Sequence, residues 1–276
     1  MTALLAVLSA LVIGSSDFSG GVATRDDSTF RVTVWAQLWS GLTALALVGF
    51  VSSTSVTSGD IVAGALAGLS GSFSFVCFYA ALSRGSMSIV APTTAVVGAV
   101  VPAIVGVARG DSVGAMTAAG LIVAVVAIVV VTSSSGDGRT DAKALALAVV
   151  AGLGFSVFFI ALSETHDAAG LWPLVVARVV SVPAVSVTAL VTTGSLMPKS
   201  TRSRRLASYT GISEMLANIM LLVALRRGPL AVVSVFGSLY PVSTVILAWA
   251  ILHEKMSRNQ VIGICLATAA LALVSV

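Results

Sequence analysis

Glu214 and Asn218 stand four residues apart in "YTGISEMLANIMLLVAL" (Tyr209–Leu225), a stretch that is otherwise almost pure hydrocarbon. At that spacing both side chains leave a helix on the same face. A carboxylate in such surroundings is suited to take up a proton or hold a cation, and the amide beside it can donate and accept. Arg178, in "LWPLVVARVVSV", is the matching deep cation, able to hold a carboxylate of the protein or of a ligand. Asp17, in "GSSDFSGG", is a second acid, with Ser15, Ser16 and Ser19 around it and Gly20-Gly21 loosening the helix end. Tyr240 before Pro241, Gln37 between Trp35 and Trp39, and Tyr79 complete the set with polar reach. These residues suit binding and proton exchange. The signatures of catalysis are missing: "HEKMS" (His253–Ser257) lacks the second histidine that a zinc site on one helical face requires, and neither a Gly-x-Ser-x-Gly elbow nor a phosphate-binding Gly-Lys-Ser/Thr loop occurs. No enzyme, metal site or cofactor is expected. His166 and His253 fall at helix ends on different segments and read as interfacial residues.

What such residues do depends on the solvent around the elements that carry them. The 276-residue chain is 57% hydrophobic and 9% charged, with a mean hydropathy of +1.07. Soluble domains carry about 25% charged residues, so most of this surface faces lipid. Apolar runs of the length that crosses a ~30 Å hydrocarbon core as helix occupy about 2–24, 32–52, 60–82, 87–108, 113–132, 142–163, 169–194, 206–225, 229–252 and 257–276. That predicts an all-α membrane protein with ten transmembrane helices. The alternating ten-residue segments of a β-barrel are not the pattern here. The first run has no Lys or Arg before it and no clear cleavage site, and reads as a membrane helix, not a cleaved signal. The links leave no room for a soluble catalytic or nucleotide-binding domain, so the lipid bilayer and a small molecule are the expected partners, and nucleic acid is not. Cys77 and Cys265 lie within apolar runs as packing residues.

Depth can be read from spacing. Glu214 follows Arg205 by nine residues and precedes Arg226 by twelve, or ~13 and ~18 Å of helix, which puts it near the bilayer centre. Carboxylates at that depth face a protein interior or a watery cavity. Arg178 lies eleven residues after Asp167, ~16 Å into its helix. The two helices are consecutive and antiparallel, so Arg178 and Glu214 can pair. A pair that only fixes packing and a pair that faces substrate or exchanges protons both fit this pattern. Asp17 lies closer to the second end of its helix, where snorkelling to the interface and proton coupling are both open. Tyr240 is flanked by long apolar stretches, and Pro241 frees a carbonyl that membrane helices tolerate beside a cavity or neighbour. Pro92 and Pro102 make the fourth helix, with the ninth, the expected bent elements.

The chain also repeats itself. "ALSRG" (Ala81–Gly85) returns as "ALRRG" (Ala224–Gly228), an offset of 143, and the same register aligns Asp111 with Glu254 and Gly120 with Gly263. Each copy then holds five crossings, 1–135 and 142–276, and an odd number inserts the second copy upside down, as in many secondary transporters. The duplication, "ALxRG" and the ending "LHEKMSRNQVIGICLATAALAL" resemble the EamA-like transporters of the drug/metabolite transporter superfamily. In that family each repeat closes on an acidic-basic pair followed by a glycine-opened helix, matched here by Glu254, Lys255 and Gly263; in the first copy Arg109-Gly110-Asp111 departs from the pattern. The resemblance implies a secondary transporter of the cell membrane that exports a small organic metabolite or drug-like solute by alternating access, as a monomer or homodimer. Its substrate site would draw on Glu214, Asn218, Arg178, Tyr240, Gln37, Trp39 and Tyr79, with Glu214 or Asp17 as the coupling site if protons take part. A proton-coupled multidrug antiporter and a non-transporting scaffold or sensor with a carrier-like fold stay open as alternatives. Orientation follows from the basic residues. The links after helices one, three, five, seven and nine hold Arg25, Arg31, Arg84, Arg139, Lys143, Lys199, Arg202, Arg204, Arg205, Lys255 and Arg258; the other links hold Arg109, Arg226 and Arg227. Eleven against three predicts the first set in the cytoplasm and both termini outside, whereas the resemblance implies termini inside.

Overall fold

The computed structural model describes residues 2–82, 84, 87–132, 142–252 and 257–275. Glu254, Lys255, His253 and Arg139 lie outside them, as does the side chain of Tyr79. The described residues are helical, with no strand among them: α1 (Thr2–Asp26), α2 (Thr29–Val48), α3 (Ser58–Leu82), α4 (Met87–Ala108), α5 (Ala115–Thr132), α6 (Ala142–Ser163), α7 (Trp172–Thr193), α8 (Thr201–Arg227), α9 (Leu230–Gly237), α10 (Tyr240–Leu252) and α11 (Arg258–Ser275). Among them, six stretches are long and apolar enough to cross a membrane: those of α1, α3, α6, α7 and α8, and Leu230–Ile251, which joins α9 to α10. Thr93–Ala108 and Ala115–Val130 are shorter apolar helices.

The bounds differ from the apolar runs where polar chemistry extends or bends a helix. The sequence predicts a start near 206 for α8, but the helix takes in Arg202, Arg204 and Arg205. The Ser200 side chain accepts the amide of Ser203 and so satisfies one of the free N–H groups of the first turn. The run over 229–252 is bent at Ser238-Leu239. Pro241 supplies no N–H for the Gly237 carbonyl, and the last turn of α9 tightens as the Ser238 amide is shared between the carbonyls of Ser234 and Val235. By contrast α4 carries Pro92 and Pro102 as one helix, since membrane helices absorb proline by local adjustment.

The helices pack closely. α1 lies against α8 and also against α9 and α10; α3 lies against α6 and α7; α2 lies against α7 and α8; α4 lies against α6 and α9; and α5 lies against α11. The shared core is built largely of alanine with a few large side chains, among them Phe236, Leu162, Leu221 and Met215. Small residues bring backbones together where hydrophobicity does not separate helix from lipid. At several crossings only glycine fits; among them, a Cβ on Gly211 of α8 would overlap the Ala36 carbonyl of α2, and one on Gly68 of α3 would overlap the Ala177 carbonyl of α7. Gln37 and Arg178 are the next residues along, so these two contacts set where the polar side chains meet.

Candidate functional site

Inside the bundle α2, α7 and α8 bring three of the expected residues into one network. Arg178 Nη2 donates to Glu214 Oε1 at 2.9 Å, and Nη1 donates to Gln37 Oε1 at 2.8 Å. Ser181 Oγ donates to the same Gln37 oxygen at 3.3 Å. Arg178 is 8% exposed and Gln37 3%, while the Glu214 side chain keeps 18% of its surface open. Arg178 Nε and the Ser40 hydroxyl are buried without a hydrogen-bond partner. Ser181, one turn beyond Arg178, is the member that sequence reasoning missed. Its signal was its i+3 spacing from a deep charge, weak in a chain so rich in serine.

A second group of polar side chains is present and unpaired. Asp17 sits on α1 between α8 and α10. On one side Ser16 Oγ donates to the Thr210 carbonyl at 3.0 Å, and the hydroxyls of Ser19 and Thr210 meet at 2.7 Å. On the other side Thr244 Oγ1 donates to the Gly14 carbonyl at 3.2 Å. The Asp17 carboxylate is accessible, lies within electrostatic range of Glu214 and of Tyr240, and forms no hydrogen bond or ion pair among the described residues. Asn218, one turn from Glu214 on α8, is 5% exposed and likewise forms no hydrogen bond among the described residues. Trp39 is half-buried, but at two residues from Gln37 it points to another side of α2 and no polar contact joins it to the network. Its neighbour Trp35 donates from Nε1 to Ser208 Oγ of α8 at 3.0 Å. An open groove of about 480 Å³ lies elsewhere, between α3 and α6, and is almost wholly apolar.

Polar contacts close both ends of the bundle. At one end Asp27, in the turn between α1 and α2, accepts from Arg31 Nε at 2.7 Å, from the Ser28 amide and from the Lys199 amide of the α7–α8 link. Asp26 pairs with Arg202 at 2.8 Å. Burial opposes the charge on Asp27, but these hydrogen bonds and the nearby Arg31 charge outweigh it and hold the carboxyl below the usual carboxylate range. At the other end Asp60 of α3 accepts from the His166 amide at 2.8 Å, and the Thr54 amide donates to the Ala168 carbonyl at 3.0 Å. Arg226 donates to Thr165 Oγ1 at 3.0 Å and to the Gly170 carbonyl at 2.9 Å. Arg109 pairs with Glu164, and Asp111 accepts from the Ala231 amide at 2.9 Å. The sequence placed His166 at a helix end; its tie to Asp60, more than a hundred residues away, has no local signal.

Comparison with known proteins adds two findings. Residues 141–276 match the model of the EamA-like transporter family. A crystal structure of another protein, 16% identical, superposes with a TM-score of 0.80 over 100% of this chain and 98% of that one; at that identity the likeness speaks for the fold. No curated protein matches the chain.

Proposed function

Through residues 141–276 the chain belongs to the EamA-like transporter family of the drug/metabolite transporter superfamily, and on that premise we propose that it is a secondary transporter moving a small organic metabolite or drug-like solute outward across the cell membrane by alternating access. The observation that carries this reading is the buried polar network of Arg178, Glu214, Gln37 and Ser181, with the unpaired Asn218 one turn along α8, set among helices that otherwise present hydrocarbon. Such groups inside a membrane bundle mark a solute path far more often than a packing device. Glu214, Asn218, Arg178, Gln37 and Tyr240 form the substrate site in this reading, with Asp17 beside them.

The architecture we propose is ten crossings in two inverted five-helix halves, with α9 and α10 together forming the ninth. The packing supports it. If the first five crossings are exchanged for the second five, the contact of α1 with α8 becomes that of α6 with α3. The contact of α2 with α8 becomes that of α7 with α3, and that of α1 with α9 and α10 becomes that of α6 with α4; all of these contacts occur. The same exchange relates the Asp27 closure to the Asp60 closure: each ties the link leaving the first helix of one half to the segment between second and third helices of the other. Alternating access then consists of releasing one closure while the other holds, around a site between the halves.

Untargeted metabolite profiling tests the reading. Cells overexpressing the protein are compared with cells carrying an empty vector and with cells overexpressing Arg178→Leu at matched membrane levels. At least one small solute should be enriched in the medium for the unaltered protein only. Identical profiles in all three would overturn the transport reading.

A further inference from the structure

We propose that the groove between α3 and α6 holds a zwitterionic membrane lipid, a phospholipid with a phosphoethanolamine head, at the end of the bundle that Asp60 closes. The groove, about 480 Å³, is lined from Ser58 and Gly59 to Leu66 on α3, and from Glu164, just past α6, back to Val157. Eight residues along one helix and seven along the other make it roughly 10–12 Å long. Val62, Leu66 and Val157 are each roughly half exposed, on helices long and apolar enough to cross a membrane. The slot therefore opens to the bilayer, starting at the polar end of the bundle and running inward. Its hydrocarbon lining fits an acyl chain but does not choose among lipids, since the chain only exchanges one apolar neighbour for another. The choice is made at the polar end.

That end presents two opposite charges. Glu164 also lines a second, polar cavity of about 200 Å³, together with Arg109, Asp111 and Ser163, so the apolar slot and the polar cavity meet at one carboxylate. Charged pockets beside membrane helices recognise lipid heads. Arg109 and Glu164 are ion-paired, and each side chain leaves about half its surface open. A pair so exposed is weak and exchanges partners at little cost, unlike the enclosed pair of Arg178 and Glu214. A phosphoethanolamine head carries the same two charges. Its phosphate can accept a forked pair of hydrogen bonds from the Arg109 guanidinium, and its ammonium can donate to the Glu164 carboxylate. Asp111, which accepts from the Ala231 amide, sets a second carboxylate at the cavity. Two carboxylates against one guanidinium disfavour a head whose only charge is the phosphate. A phosphoglycerol head would take Arg109 and leave Glu164 with no counter-charge. With the ethanolamine head at Glu164, the acyl chain descends past Val62, Leu66 and Val157, as chains of that leaflet do.

Native mass spectrometry tests the head. The purified full-length protein is offered equal amounts of dioleoyl phosphatidylethanolamine and dioleoyl phosphatidylglycerol. The ethanolamine lipid should be retained at least about threefold over the glycerol lipid, the ratio that one half-exposed ion contact sustains. Glu164→Gln should abolish that preference, whereas Arg109→Gln should weaken retention of both lipids. Both side chains are half exposed, so neither change opens the core. Equal retention by the unaltered protein, or a preference that survives Glu164→Gln, overturns the proposal. A second measurement needs no variant and tests the groove. Phosphatidylethanolamine with a diazirine midway along one acyl chain is photolysed in phosphatidylcholine vesicles containing the protein, and the labelled peptides are identified. Label should concentrate at Val62, Leu66 and Val157. Excess unlabelled phosphatidylethanolamine, and not phosphatidylglycerol, should lower it at least about threefold. Equal label at the exposed Leu45 of α2 and Val191 of α7 would reveal bulk lipid contact and overturn the site. The lipid is independent of the carried solute: a protein that moves no solute can still hold it, and a transporter without the lipid preference loses this site alone.

Discussion

Removing one partner of the Arg178–Glu214 pair leaves the other charged and largely enclosed, whereas removing both leaves an ordinary apolar contact. That asymmetry is the strongest handle at the scale of the residue. Glu214→Gln and Arg178→Leu should each destabilise the protein by about 3 kcal/mol, and the double variant should recover most of the loss. Chemical unfolding in detergent measures it, and a double variant no better than the worse single would show that the two charges do not act as a pair. The partnership was legible because depth along a helix can be counted from charged ends, and two consecutive antiparallel helices place equal counts at equal depth. The role of Gln37 was legible only as a polar residue out of place. Its partners Arg178 and Ser181 are 141 and 144 residues away, a separation for which no local pattern exists. Asp17 shows the limit from the other side. Its position fits both a snorkelling acid and an interior one, and its packing beside α8 and α10 had no signal in the sequence.

At the scale of the element, helices could be counted from apolar length, but their contacts could not, because alanine and glycine give little sign of which face is buried. The two crossings at Gly211 and Gly68 make the point testable. Gly211→Ala and Gly68→Ala should each lower stability by about 1–3 kcal/mol, since the added methyl meets a carbonyl that cannot move without its helix. Gly21→Ala, with nothing within 4 Å of the new methyl, should be neutral or better by up to about 1 kcal/mol. Melting temperatures of the three variants in one detergent decide it; equal losses at all three sites would remove the case for close crossings. The bend of the ninth crossing was expected from Pro241, whereas the early start of α8 was not: counting its arginines as a boundary overlooked the cap that Ser200 provides.

For the whole molecule, the balance of eleven basic residues against three predicts that the links beside Asp27 and Lys199 lie in the cytoplasm and the Asp60 end outside. A C-terminal fusion to alkaline phosphatase should accordingly be active, and a C-terminal green fluorescent protein should stay dark when the chain is inserted by the Sec route. The reverse pair of results would mean that the charge rule is overridden here. The proposed repeat rests on Arg-Gly, acidic and glycine positions in one register, whereas which helices pack together had to come from three dimensions. One feature of that packing governs how the molecule is made. α1 is synthesised first, yet the carbonyls that meet its Ser9 and Ser16 belong to α8: Ser9 waits for Ala217, 208 positions later, and Ser16 for Thr210, 194 later. At about 5–20 residues per second of translation, that interval is roughly 10–40 s. Through it α1 must stay in or beside the translocon with Ser9 and Ser16 unmatched, which makes the newborn chain, and not the finished bundle, the form most exposed to membrane proteases.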